Sequence, residues 1–315
     1  MAGEFAVSAL GQAAADYLAL RRSLGHQLAG AGRLLPRFVA YLDQAGAETV
    51  TTQAALAWAH EPDAVPGSTV WACRLTVTRG FARHMAGIDP RTEIPPAELI
   101  GYRQHRRSPF LFSEADIAAV MAQARLIGRP LPSITHETLI GLLAATGMRV
   151  GEAIGLDRDD INWPEGVLLI RRSKFTKSRQ VVLHPSSVRA LARYARRRDQ
   201  LAPRPATPGF FVSIRGARLS YSVVYANFRK LCQASGVGAC SAVRPRIHDL
   251  RHSFAVGCLV RWYQEGADVQ ARLAWLSAYL GHRDPRYTYW YLSAAPELLA
   301  HAASRLDRSA RQGAP

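Results

Sequence analysis

The sequence predicts a mainly helical protein of two domains, with a single small β-hairpin. A chain of 315 residues is long enough for two domains that each bury a core. Apolar residues recur at helical spacing through most of the chain, as at Leu35, Phe38 and Leu42. β-like runs occur only at residues 166–172 and 180–183, around a polar turn, so the sheet that we expect is a hairpin.

Residues 1–100 form the first predicted domain, a set of short helices joined by Gly and Pro breaks. The Ala-rich start is interrupted by charged residues and has no cleavage signal, so we expect a retained helix there. The last helix of this domain carries Arg74, Arg79 and Arg83. Such a basic stripe is either a solvated face or a contact for phosphates, and these three are candidate DNA-binding residues.

A linker is predicted at residues 101–112, where Pro, Arg and polar residues replace the helical pattern. It either lies along a phosphate backbone or serves as a flexible tether. Ser113 then begins a capping box with Asp116, which marks the start of the second domain at 113–315. The basic residues of the linker are Arg103, Arg106 and Arg107.

The second domain is predicted to be helical around the hairpin, and its last helix is amphipathic. Its predicted helices cover residues 134–145, 150–156, 185–199, 221–234, 248–264, 269–280 and 296–308.

The charge of the chain indicates a polyanionic partner, since the net charge is +16 and the pI is near 10.4. Nucleic acid is the first candidate; a membrane surface is disfavoured because no run of 18 apolar residues occurs. The four cysteines show no C-x-x-C spacing, which is typical of free thiols in a reducing cytoplasm. A zinc site from Cys232, Cys240 and His248 lacks a second close pair of ligands, and we predict no metal.

The candidate catalytic residues lie in two arginine motifs and in an aromatic cluster. Arg149 stands between two predicted helices, with Glu152 on the same helical face. His248 and Arg251 share that spacing, so both can face one ligand, and guanidinium with imidazole suits a phosphate. A structural ion pair and a helix cap are the alternatives. The segment 280–292 crowds tyrosines and a tryptophan, which usually indicates core.

In chain order, these motifs resemble those of the tyrosine recombinases, the phage integrase family. The matching segments are T-G-M-R-V-G-E at 146–152, K-F-T-K-S-R-Q-V-V-L at 174–183, H-D-L-R-H at 248–252 and L-G-H at 280–282, followed by Tyr291. The resemblance covers the chain from Ser113 onward. It implies a helical, SAM-like core-binding domain followed by the family's mixed α/β catalytic domain, in a site-specific DNA recombinase.

The resemblance implies roles for the phosphate-binding residues. Arg149 and Arg251 would bind the scissile phosphate and stabilise the charge of its transition state. His282 would donate a hydrogen bond to the phosphate, and His248 would assist proton handling at the nucleophile. Glu152 would orient Arg149 in a supporting role.

The nucleophile and the general acid are also implied by the resemblance. Tyr287 and Tyr291 share a helical face, so geometry leaves both open, and the family's spacing selects Tyr291. Its phenol would form a 3′-phosphotyrosyl intermediate. Lys174 would protonate the departing 5′-oxygen, with Lys177 as the alternative. The residues expected to pack as scaffold are Tyr287, Tyr289 and Trp290.

The family's strand exchange implies double-stranded DNA sites, a dimer on each site and a synaptic tetramer, without a cofactor or metal. The segment 296–308 either packs in cis or docks on a neighbouring protomer. The long approach to His282 indicates a transposon- or plasmid-borne subgroup, and accessory proteins remain open. We expect a bacterial, cytoplasmic, nucleoid-associated enzyme. The alternatives are a type IB topoisomerase and a non-cleaving DNA-binding accessory protein.

Overall fold

The fold is built almost entirely of helices, which confirms the predicted fold class. This computed structural model describes residues 8–61, 69–100, 108–171, 178–282, 284 and 286–294. The chain divides into two compact units, residues 1–106 and 107–315, and each unit buries apolar side chains of its own. Among the described residues, no helix is both long and apolar enough to cross a membrane.

The first unit is helical, as the sequence predicts. Thr51 begins its third helix by accepting a hydrogen bond from the Ala54 amide at 3.1 Å. The predicted stripe of Leu35, Phe38 and Leu42 is fully buried, and each such side chain stabilises the unit by about 1.5–3 kcal/mol. The helices are α1 (Ala9–Ser23), α2 (Ala29–Gln44), α3 (Thr52–Ala59) and α4 (Thr69–Met85).

The three candidate DNA-binding arginines of α4 differ in their surroundings. Arg74 is only 1% exposed, donates from Nη1 to the Trp58 carbonyl at 3.0 Å and lies over the Trp58 ring. A side chain buried in its own unit cannot reach a phosphate, so the prediction for Arg74 is wrong. The Arg79 guanidinium donates from Nε to the Pro95 carbonyl and from Nη2 to the Pro96 carbonyl, at 2.7 Å each. Arg83 is exposed and stays a candidate.

The second unit begins with the predicted capping box, in which the Ser113 hydroxyl accepts from the Asp116 amide. Most of its elements match the predicted helices within a few residues. Its helices are α5 (Glu114–Arg125), α6 (Pro130–Thr146), α7 (Val150–Gly155), α8 (Pro185–Leu201), α9 (Tyr221–Ser235), α10 (Asp249–Gln264), α11 (Val269–Leu280) and α12 (Arg286–Ala294).

The predicted hairpin is present and is extended by one short strand. Strands β2 (Val167–Ile170) and β3 (Arg179–Val182) pair antiparallel, with Leu168 opposite Val181. The two-residue strand β1 (Ile161–Asn162) adds to the other side of β2, giving the order β1-β2-β3. Such a strand is too short to leave a period-2 pattern, which is why the sequence did not predict it.

The end of the predicted linker belongs to the second unit instead. Phe112 is 7% exposed, its amide donates to the Ser253 hydroxyl at 2.8 Å, and its ring packs edge-on against Phe110 and Phe228. The prediction followed from the Pro- and Arg-rich composition of the stretch, whereas the two phenylalanines provide apolar surface for a core.

Candidate active site

Three helix ends meet around Arg251, in the first turn of α10. Its guanidinium donates to the Gly147 carbonyl at 2.9 Å and to the Leu280 carbonyl at 2.8 Å. These carbonyls lie at the ends of α6 and α11, where the unpaired backbone oxygens carry partial negative charge. They hold the guanidinium without a carboxylate. Burial and the charge of Arg149 lower the pKa of Arg251 to about 10. Because this pKa is still well above 7, the side chain is positively charged near neutral pH.

Glycine is required at two of these helix ends. Gly147 ends α6 with a positive φ of 59°, and a Cβ there would lie 2.4 Å from the Phe254 ring. Gly281 ends α11 with φ 68°, and a Cβ there would meet the Arg179 guanidinium at 2.9 Å. Both helices therefore stop where their carbonyls face the arginines.

Arg149 precedes the first turn of α7 and pairs with Glu152, as its spacing predicts. Its Nη1 donates to Glu152 Oε1 at 2.8 Å, and its backbone amide donates to Oε2 at 2.9 Å. Its Nη2 donates to the Gly281 carbonyl at 3.0 Å. The side chain is still 29% exposed, so part of its fork remains open to an anion.

Arg179 is a site residue that the sequence reasoning missed. It begins β3 and makes a two-pronged contact with Glu152, from Nη1 at 2.9 Å and Nη2 at 2.8 Å. Burial by itself would raise the pKa of the Glu152 carboxyl, but Arg179 and then Arg149 outweigh it and lower this pKa to about 2. Glu152 is therefore ionised near pH 7. The sequence signal that could have indicated Arg179 is its position at the end of the lysine-rich turn.

His282 follows α11 and is oriented by Thr288 of α12. Its Nδ1 lies 2.7 Å from the Thr288 hydroxyl, which is itself buried. Burial and the positive charges of Arg251 and Arg149 lower the pKa of His282 to about 3, so the ring is neutral near pH 7. A neutral imidazole that accepts from Thr288 at Nδ1 carries its proton on Nε2, from which it can donate. The sequence did not point to Thr288.

Tyr291 is the tyrosine of α12 that lies among these groups. It is 2% exposed, with its ring centroid 6.1 Å from His282 and 5.4 Å from His252. It is also near enough to Arg251 to interact with its charge. The Tyr287 ring centroid lies at the same 6.1 Å from His282, but its side chain is half-exposed.

Two of the tyrosines that we expected to pack as scaffold are largely exposed. Tyr287 is 49% exposed and Tyr289 is 47% exposed, so both face solvent in the described chain. Trp290 does pack, against the apolar cluster of α10 and α11 and beside the His252 ring. The crowding of rings in the sequence indicated core, but consecutive helical positions point in different directions and only part of the cluster reaches it.

The rings of His248 and His252 contact each other at the start of α10. Their ring centroids are 5.0 Å apart in an edge-on arrangement, and His252 in turn contacts Trp290 and Tyr291. His248 lies at the surface of the site, where the surrounding protein and the charge of Arg251 lower its pKa. His252 belongs to the H-D-L-R-H segment, and its ring contacts that of Tyr291.

Several predicted site residues lie outside the described residues. These are Lys174, Lys177, Arg103, Arg106, Arg107 and the predicted helix 296–308.

Taken together, the described side chains form a site rich in positive charge. The guanidiniums of Arg149 and Arg179 pair with the Glu152 carboxylate, and that of Arg251 is held by the Gly147 and Leu280 carbonyls. The neutral imidazole of His282 lies beside the buried phenol of Tyr291. Within the described residues, no three His, Cys, Asp or Glu side chains are grouped to hold a metal. The arrangement suits stabilisation of a negatively charged phosphoryl group next to a tyrosine nucleophile.

The model of the phage integrase family matches residues 112–297, more than half of the chain. The chain belongs to this family. Among curated relatives, the putative integrase/recombinase y4rB of Sinorhizobium fredii is 40% identical over 309 residues, covering 96% of this chain and 98% of the relative. Tyrosine recombinase XerD of Pseudomonas aeruginosa is 31% identical over 242 residues, covering 76% of this chain and 75% of that protein.

Solved structures share the fold of this family member. The Tn1549 transposon integrase, in complex with transposon right end DNA, aligns with a TM-score of 0.64 at 16% identity, over 95% of this chain and 99% of that one. XerH site-specific recombinase, bound to its difH substrate, aligns with a TM-score of 0.63 at 18% identity, over 87% and 78%. The predictions of a recombinase fold and of a tyrosine-type, site-specific recombinase are confirmed.

Proposed function

We propose that this recombinase cleaves and rejoins DNA strands at specific sites, with Tyr291 as the nucleophile and Arg149 and Arg251 on the scissile phosphate. The observation that carries the assignment is the convergence of Arg251, His282 and Tyr291 with the Arg149–Glu152 pair at the ends of α6, α10 and α11. An excess of positive charge beside a phenol favours attack on a phosphodiester over a neutral substrate.

In the cleavage step, the Tyr291 oxygen forms a bond to phosphorus and the bond to the 5′-oxygen breaks. The phenol proton passes to His248, directly or through His252, and the departing 5′-oxygen takes a proton from Lys174. The bond energy is kept in a 3′-phosphotyrosyl linkage, so a 5′-hydroxyl can reverse the step and reseal a strand. Because Tyr291 is only 2% exposed, DNA must displace its surroundings enough to admit the phosphate.

The two arginines stabilise the charge that develops on the non-bridging oxygens. Arg251 is fixed by two carbonyls and Arg149 by Glu152, so neither has to reorganise when the charge appears. His282 donates to the phosphate from Nε2, while its Nδ1 accepts a hydrogen bond from the Thr288 hydroxyl. Its low pKa supports a hydrogen-bond donor rather than a cation.

We infer the wider assembly from family membership. Residues 1–100 serve as the core-binding domain and 113–315 as the catalytic domain, on duplex DNA in the bacterial cytoplasm. The Tn1549 and XerH structures hold DNA, and lambda integrase was crystallised as a dimer on a core site. A dimer on each site and a synaptic tetramer therefore fit this chain. Nucleoid association, the transposon- or plasmid-borne subgroup and docking of 296–308 in trans stay predictions.

The test is covalent trapping on a nicked duplex that loses its 5′-hydroxyl strand after cleavage. Tyr291→Phe should retain DNA binding and form no protein–DNA adduct in a denaturing gel, whereas Tyr287→Phe, the matched control on the same helix, should form it. Adduct with Tyr291→Phe but not with Tyr287→Phe would reassign the nucleophile. Exchanged flanking sequences in the sealed product distinguish recombination from topoisomerase-like relaxation.

A further inference from the structure

Arg179, at the start of β3, commits every nitrogen of its guanidinium to a protein acceptor. Its Nε donates to the Tyr279 carbonyl at 2.9 Å, while Nη1 and Nη2 donate to the two oxygens of Glu152. The side chain is only 12% exposed. With its donors engaged in this way, Arg179 is arranged to hold other groups rather than to bind the phosphate.

The contact of Arg179 with Glu152 determines how Arg149 is held. Arg149 reaches the carboxylate with one side-chain nitrogen, whereas Arg179 takes the two-pronged position. A two-pronged arginine–carboxylate contact is the stronger geometry. Without Arg179, the buried Glu152 would gain most by taking that contact with Arg149, which would turn the Arg149 fork away from a phosphate.

The contact of Arg179 with the Tyr279 carbonyl fixes the end of α11. The next carbonyl, of Leu280, accepts from Arg251, and the one after it, of Gly281, accepts from Arg149. Arg179 also lies against Gly281, where a Cβ would meet it at 2.9 Å. One side chain therefore supports the acceptors of both phosphate-binding arginines.

We propose that Arg179 is a positioning residue for strand cleavage, which holds Glu152 and the end of α11 so that Arg149 and Arg251 face the scissile phosphate. This inference rests on the proposed function. A misplacement of about 1 Å can slow a reaction about 100-fold. Arg179→Met should therefore slow adduct formation at saturating DNA by roughly that factor, while the DNA concentration for half-saturation changes little.

A different route must be separated from this one, because Arg179 follows the segment that contains Lys174. If Arg179 acted through Lys174, its loss would impair protonation of the leaving group. A substrate with sulfur in place of the bridging 5′-oxygen separates the two routes, since a thiolate leaves without general acid. We expect the defect of Arg179→Met to be equally large on the oxygen and sulfur substrates. A defect that disappears on sulfur would overturn the proposal.

Arg218→Met is the matched control. Arg218 also pairs with a carboxylate, Asp157, and donates to backbone carbonyls, including Gly155 at 2.9 Å, but it does so at the far end of α7. This variant should cleave at nearly the wild-type rate; an equal slowing of both variants would mean a general structural effect and would refute the positioning role.

Arg179→Lys keeps the charge but cannot make the two-pronged contact, so it should cleave at a rate between those of the wild type and Arg179→Met. This variant also tests the proposal if Arg179→Met fails to fold. A lysine variant with no residual defect would contradict the proposal. Absence of adduct with the wild-type chain would instead refute the proposed function itself.

Discussion

Replacing Glu152 with glutamine measures how strongly the buried carboxylate holds the site together. The amide has nearly the same shape, so the change removes the charge and leaves the packing. The folded pKa of about 2 lies below the ordinary value of 4.5, and at about 1.4 kcal/mol per pKa unit the charged form is favoured by about 3 kcal/mol. Removing one partner of a buried ion pair typically costs a similar amount, about 3–5 kcal/mol.

The loss should appear as a lower unfolding temperature of the second unit. For a unit of this size, about 2–4 °C per kcal/mol gives a drop of about 6–12 °C at pH 7. Differential scanning calorimetry of the full chain measures it. The matched control is Glu137→Gln, whose ion pair has an Arg125 side chain that is 60% exposed; it should shift stability by less than about 1 kcal/mol. Equal shifts for the two variants would refute the reasoning.

The pH dependence gives an independent check on the same residue. Because the folded pKa of Glu152 is depressed, its contribution is complete above the unfolded value of 4.5 and disappears as the pH falls to about 2. The gap in stability between the wild type and Glu152→Gln should therefore stay constant from pH 7 to pH 5 and narrow below pH 4.5. A gap that does not change with pH would contradict the assignment of the effect to the charge.

Two further predictions concern His282 and the arginines of α4. The folded pKa of His282, about 3, lies below the ordinary 6.5, so the free energy of unfolding should fall by about 1 kcal/mol between pH 7 and pH 5.5 because of this group. Urea unfolding should show a smaller fall for His282→Asn than for the wild type. Equal falls would mean that His282 is not the cause. Arg74→Met should destabilise the first unit by about 1–3 kcal/mol without changing the salt dependence of DNA binding, whereas Arg83→Gln should reduce the slope of log affinity against log salt by about 1. A reduced slope for Arg74→Met would restore it as a phosphate contact.

Local patterns in the sequence were sufficient for most of the elements and for the family. The α11 helix was predicted and found at Val269–Leu280, the Ser113–Asp116 capping box is formed, and the hairpin pairs as expected. These features depend on residues a few positions apart, where periodicity and capping are encoded directly. The spacing of Arg149 and Glu152 likewise predicted their contact, because residues three positions apart lie on the same face of a helical turn.

Only the tertiary structure decided which side chains share the site. Arg149 meets the Gly281 carbonyl 132 positions away, and Arg251 meets that of Gly147 across 104. Packing within the first unit buries Arg74, and packing within the second unit brings Arg179 to Glu152. The sequence by itself determined the helices, the positive charge and the ordered motifs of the family. The grouping of these side chains depends on where α6, α10 and α11 end against each other, which follows from the burial of their apolar faces and is not encoded in any local spacing.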